Sequence, residues 1–203
     1  MARPVNTLER RRQIAEGLRG VMPRQGYDGS SIAEIAKAAG VPPGIVHYHF
    51  KDKREILLDL LSQLVEEHET ALDAALERAK GDPRRELDQF LDAHLSTGRS
   101  ADPQALACWV AICGEALRDA DVRKAYEKAV RGTHRRLATI LRHGVAARVF
   151  RCASPEAAAA AIDATVQGYL VLAATARALI PRGTAAASAK AMAAGLVGLH
   201  RSK

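Results

Sequence analysis

Two histidines stand two residues apart in GVPPGIVHYHF, residues 40–50, with a tyrosine between them and two prolines ahead. Paired imidazoles suggest a metal site. On a helix, however, residues two apart point about 200° from one another. Helical metal pairs use i,i+3 or i,i+4 spacing, so His47 and His49 do not share one ion. Elsewhere Cys108, Cys113, His94, His134 and His143 supply nucleophiles and bases. No spacing joins them into a nucleophile with its base, and no paired carboxylates or phosphate-cradling glycine loop accompany them. Cys108, Cys113 and Cys152 cannot pair completely and have neither Cys-x-x-Cys nor zinc spacing. Cys108 and Cys113 flank Trp109 on an apolar segment and read as small buried hydrophobes. No enzymatic reaction, metal or cofactor is expected.

The same stretch supports contact chemistry. With residues 43–49 on a helix, Val46 and Phe50 face inward with Val41, and Gly44, Ile45 and Tyr48 face outward between His47 and His49. Gly44 permits close approach, Ile45 offers an apolar patch to a thymine methyl, and Tyr48 can donate to a phosphate or base edge. The charge agrees. Residues 1–54 hold ten Lys/Arg and five Asp/Glu, which is +5 of the formal +7 of the 203-residue chain. A basic end on a near-neutral body suits a polyanion.

Helices must position these residues. SSIAEIAKAAG starts with Ser31 and Glu34 as a capping box and stops at Gly40; the prolines Pro42 and Pro43 then open the next helix, where a missing N–H costs little. Two short helices with a glycine turn form a helix-turn-helix. Ahead of them, Asn6 caps a helix with Ile14, Ala15, Leu18, Val21 and Met22 on one face, stopped at Gly26. Behind them, Asp52 and Glu55 open a long helix with the stripe Ile56, Leu57, Leu60, Leu61, Leu64, His68, Ala71, Leu72, Ala75 and Leu76. Asp82-Pro83, Asp102-Pro103 and Ser154-Pro155 start further helices, the first ending near Gly98 and the last running to about Leu179. With no lasting strand alternation, the chain is expected to be all-α, about nine helices: a three-helix N-terminal domain over 1–54 and a larger helical domain over 55–203. MARPVNTLERRR lacks an apolar core after its charges, and the apolar stretch 161–180 is broken by Asp163, Gln167 and Arg177. A reduced, cytoplasmic protein is expected.

Residues 26–58, GYDGSSIAEIAKAAGVPPGIVHYHFKDKREILL, resemble the DNA-binding domain of the TetR family of transcription regulators. The resemblance rests on the glycine-aromatic pair, Ser30-Ser31, the IA..AGV pattern, Gly44, the closing aromatic-His-Phe and Lys53. Residues 109–173 resemble the C-terminal domain of its BetI-like branch. The resemblance implies a homodimer on a palindromic operator, most often a repressor, released by a small molecule. It implies phosphate contacts from Ser30 or Ser31 and from Lys53, and places Ile45, Tyr48 and neighbouring His47 in or beside the major groove; Pro43, Gly44 and His49 on the same helix complete the candidate DNA-contacting set. The chain departs from the family at Pro42 and Pro43, where polar residues are common, at Ile45 (often Thr) and at His47 (often Tyr). A helical interaction module or a small enzyme-like domain carrying a helix-turn-helix is the alternative.

Candidate effector contacts are Phe90, His94, Trp109, Cys113, Tyr126, His134, Gln167 and Tyr169. Only 4% of residues are aromatic, which argues against an aromatic cage for a quaternary ammonium. Ala160, Ala164, Gly168, Val171 and Thr175 follow i,i+3 and i,i+4 steps. The resemblance places the subunit contact on the last two long helices, which adds Met192 and Leu196, near Val197.

Overall fold

The structure, a computed structural model, describes residues 7–95 and 102–198. These residues form nine α-helices, one 3-10 turn and no strand. The helices are α1 (Thr7–Gly29), α2 (Ile32–Ala38), α3 (Pro43–His49), α4 (Lys53–Glu77), α5 (Pro83–Leu95), α6 (Pro103–Glu115), α7 (Ala120–Ala146), α8 (Pro155–Thr175) and α9 (Thr184–Val197). The expected cap at Asn6 and stop at Gly98 lie outside the described residues. Asp82 Oδ1 accepts from Arg84 N and Arg85 N, Asp102 Oδ1 from Gln104 N at 2.8 Å, and Ser154 Oγ from Ala157 N at 3.1 Å. Each cap precedes a proline that has no N–H to leave unpaired.

The expected stop at Gly26 appears as a break, and two other local expectations change. Helical structure passes Gly26, but Gly26 itself is non-helical, with φ 72° and ψ 173°, so it breaks α1 and one further turn follows. α8 ends at Thr175, and Arg177–Leu179 form the 3-10 turn, so the helix does not reach Leu179. Ala71, expected on the buried stripe of α4, is exposed.

The chain divides into two compact units. One holds residues up to Glu67 with Asp102–Lys128; the other holds His68–Ala101 with Ala129–Lys203. This division differs from a cut after residue 54, because Cys108, Ile112 and Val122 join the apolar core of the N-terminal helices.

In the first unit Ile14, Leu18 and Met22 of α1 pack with Ile35, Val46, Phe50, Ile56, Leu57 and Leu60. α1 lies so close to α2 that a Cβ on Gly17 would stand 2.6 Å from the Ile35 carbonyl oxygen. The buried Arg19 fastens three elements: its guanidinium donates to Glu16 at 2.9 Å, to Glu67 of α4 at 3.0 Å, and to Asp102 at the start of α6. In the second unit α5 packs on α8 and α9, and α8 on α9. Its core includes Leu87, Phe90 and Leu91, then Leu137, Ile140 and Leu141, then Ala159, Ile162, Val166, Ala189, Ala193 and Val197. By length and composition α8 is the one described helix that could cross a membrane.

Candidate functional site

The turn between α2 and α3 is built by the local sequence. Ser31 Oγ accepts from Glu34 N while Glu34 Oε2 accepts from Ser31 N at 3.0 Å, so two otherwise orphaned donors are met. At the other end Gly40 takes φ +66°. Val41 N donates to Ala36 O at 3.0 Å and Gly40 N to Lys37 O at 3.2 Å, the paired bonds of a Schellman cap. A side chain at residue 40 would be strained in that backbone. Pro42 and Pro43 then lead into α3.

Val41, Val46 and Phe50 are buried and hold α3 to the core. Opposite them Tyr48 is 81% exposed and Ile45 36%, with Pro43, Gly44 and His47 exposed beside them. A Cβ on Gly44 would meet nothing within 4 Å. His49 is half-buried, its ring edge-on to Tyr48 at 5.0 Å. Arg11 reaches the end of this helix from α1. Its Nη1 donates to the His49 carbonyl at 2.6 Å, its Cζ lies 4.0 Å from the Phe50 ring centroid, and it grips Asp59.

The two serines differ. Ser31 is exposed. Ser30 is fully buried, and its hydroxyl donates to Gly26 O at 2.7 Å, satisfying the broken end of α1. Contrary to the expectation for Ser30, no solvent-side atom of its hydroxyl remains for a phosphate. Lys53 Nζ donates to Tyr27 O at 2.7 Å and Asp28 O at 3.2 Å and lies 4.4 Å from the Tyr27 ring centroid. An ammonium has three N–H donors, so one remains for an anion. The basic excess is also partly committed: Arg11, Arg12, Arg19 and Arg54 pair with carboxylates inside the unit. Lys37 and Lys51, not singled out from the sequence, are exposed beside the α2–α3 surface.

The effector candidates divide between the units. Trp109, Cys113 and Tyr126 fall in the first, where Trp109 and Tyr126 stack with centroids 4.9 Å apart. Phe90, His94, His134, Gln167 and Tyr169 fall in the second. Phe90 is wholly buried and stacks on His94 at 4.3 Å. His134 and Gln167 both act on Asp163, which in the sequence is a break in an apolar stretch. Burial pushes the Asp163 carboxyl above its ordinary range, while His134 and a hydrogen bond from Gln167 act the other way. The signal that could have found it is a lone acid between Ile162 and Val166 on the inward face of α8.

Ala160, Ala164, Gly168, Val171 and Thr175 are all exposed along α8, as are Met192 and Leu196 on α9. Val197 is fully buried. A Cβ on Gly168 would meet nothing within 4 Å.

A helix-turn-helix whose second helix presents Ile45 and Tyr48 to solvent has the architecture of the DNA-binding helix-turn-helix class. Residues 14–60 match the family described as bacterial regulatory proteins, tetR family, and residues 83–198 match BetI-type transcriptional repressor, C-terminal. The chain belongs to the tetR family, with a BetI-type C-terminal domain; the family's members are transcription regulators, not enzymes. It is 28% identical over 115 residues to the transcriptional regulator BetI of Rhizobium meliloti, covering 57% of this chain and 56% of that one. It is 30% identical over 102 residues to BetI of Agrobacterium fabrum, covering 49% and 48%. The matches span about half the length of these relatives. The fold is shared with a transcriptional regulator from Saccharomonospora viridis crystallised with choline, at TM-score 0.80, 24% identity and 94% and 98% coverage. A Rhodococcus transcriptional regulator shares it at TM-score 0.82, 24% identity and 95% and 99% coverage.

Proposed function

We propose that the protein is a cytoplasmic repressor that binds a near-palindromic DNA operator as a homodimer and leaves it when a small organic molecule binds its C-terminal part. The observation that carries this reading is the face of α3. Large side chains at Ile45 and Tyr48 stand in solvent while Val41, Val46 and Phe50 anchor the helix beneath them. Pro43, Gly44, Ile45, His47, Tyr48 and His49 then enter or border the major groove, and Ser31, Lys53, Lys37 and Lys51 hold phosphates. In this reading residues 1–54 bind DNA and 55–203 bind the effector and the second subunit.

The exposed, mostly apolar side of α8 with Met192 and Leu196 of α9 supports the subunit contact, since small residues allow two helices to approach closely. Two recognition helices related by a two-fold axis read half-sites about one helical turn apart. Selection of binding sites from random duplex DNA by the purified chain tests the reading. A two-fold symmetric consensus, with affinity falling steeply in salt, is the expected result. Asymmetric sites would sink the dimeric-operator reading, and no enrichment at all would sink DNA binding. Footprinting on genomic DNA then names the regulated genes.

A further inference from the structure

Asp163 is 6% exposed and sits on the inward face of α8, among Ala159, Ile162 and Val166. Its Oδ1 has no hydrogen-bond partner among the described residues. Gln167, one turn along the same helix, hydrogen-bonds the carboxyl, and His134 of α7 bears on it electrostatically. No Lys or Arg ion pair is made by this carboxylate among the described residues, although the second unit makes such pairs at Asp73, Asp92 and Glu156. A buried, half-satisfied carboxylate is destabilising relative to an apolar residue of similar size. Polar side chains left in that state concentrate where a ligand completes them.

We infer that Asp163 is the anchor of the effector site in the C-terminal unit, with His134 and Gln167 beside it, and that the effector is an organic cation carrying N–H, a primary or secondary ammonium. The inference rests on the reading of this unit as effector-binding. Its chemistry follows from two requirements. The carboxylate needs an opposite charge, and Oδ1 needs a donor. A neutral alcohol meets only the second. A quaternary ammonium meets only the first and relies on an aromatic cage. The second unit contains three aromatic residues, Phe90, Phe150 and Tyr169. Phe90 and Phe150 are spent in the core, which leaves Tyr169 alone. An N–H-bearing ammonium meets both requirements through a charge-assisted hydrogen bond.

The full chain is titrated with n-butylammonium, with n-butyltrimethylammonium and n-butanol as matched probes, and its melting temperature is recorded. At a tenfold excess over its Kd, n-butylammonium raises the melting temperature by about 3–6 °C. The trimethylated probe and the alcohol raise it far less. In Asp163→Asn the response to n-butylammonium is lost, and the probe-free variant melts no lower than the unsubstituted chain, because an uncompensated charge has gone. Equal responses to butylammonium and its trimethylated form, a response that survives in Asp163→Asn, or no response to any probe would each overturn the inference. Binding of the unsubstituted chain to its selected DNA, measured without probe, separates the two readings. Loss of DNA binding sinks the regulator reading and leaves the Asp163 result standing; DNA binding without a butylammonium response sinks the Asp163 site alone.

Discussion

The guanidinium of Arg11 holds the carboxylate of Asp59 with two contacts, 2.8 Å from Nε and 2.9 Å from Nη2, while its remaining nitrogen reaches the carbonyl of His49. One side chain of α1 thus fixes α4 and the last turn of α3 together. The carboxylate holds the Arg11 pKa above its ordinary value, the hydrogen bonds from Arg11 being the main cause. Arg11→Ala is expected to cost about 1–3 kcal/mol in denaturant unfolding. It should also weaken binding to every DNA sequence, because α3 loses its seat. Arg11→Lys recovers little, since an ammonium cannot make the bidentate grip. Wild-type stability in both variants would remove the pair from the scaffold.

Lys53 and Ile45 test the proposed division between positioning and readout. Lys53→Ala is expected to lower affinity for all sequences and to flatten the salt dependence by roughly one unit of slope. It also removes the partner of the Tyr27 and Asp28 carbonyls, so unfolding becomes easier by about 1 kcal/mol. Ile45→Ala should leave the slope unchanged and relax preference at one or two base pairs by about 1 kcal/mol each. Fluorescence anisotropy at several salt concentrations, on the selected site and its single-base variants, distinguishes the two. An unchanged preference in Ile45→Ala would show that α3 enters the groove by another face.

Gly168→Arg probes the exposed side of α8. The position is open within the subunit, so the long cation is accommodated in the fold. Analytical ultracentrifugation should report half the mass, together with weaker binding to a two-half-site DNA, because each half-site supplies only part of the contacts. A variant that stays dimeric and binds normally moves the contact to Met192 and Leu196.

A histidine pair makes stability depend on pH. His94 Nδ1 is 2.7 Å from the Phe90 carbonyl, so it carries the proton. Nε2 is then bare and accepts from His68 Nε2, 2.9 Å away. Burial pushes both rings below the ordinary histidine value, His94 to about 3, with the His68 ring adding to the effect. Glu69 opposes the shift at His68 and Arg136 reinforces it. The unfolded chain takes up protons below pH ~6.5 that the folded rings refuse. Stability is therefore flat in these groups above that pH and falls as pH drops toward 3, by up to about 1.4 kcal/mol per unit for His94. Urea midpoints at pH 7.5 and 5 should differ less in the double variant His68→Leu/His94→Leu than in the unsubstituted chain. An identical difference would show that carboxylates alone carry the acid sensitivity.

Much of the α2–α3 surface is legible in the sequence because its causes are local. The Ser31–Glu34 box, the left-handed Gly40, the prolines opening α3 and the inward run Val41, Val46, Phe50 all act within a few residues, where backbone geometry follows from residue type. The outward face of Ile45 and Tyr48 follows from the same periodicity. Helix packing decided the rest, because it joins residues far apart in the chain. Ser30 and Ser31 are neighbours of one type, yet the break at Gly26 turns one hydroxyl inward and leaves the other at the surface. Lys53 meets carbonyls 25 and 26 residues away, His68 meets His94 across 26, and Arg19 meets Asp102 across 83. In the sequence Asp163 is a break in an apolar helix. Only the packing of that helix shows that its carboxylate faces inward with one oxygen unmet, since periodicity names a face and the neighbours of that face are set by other segments.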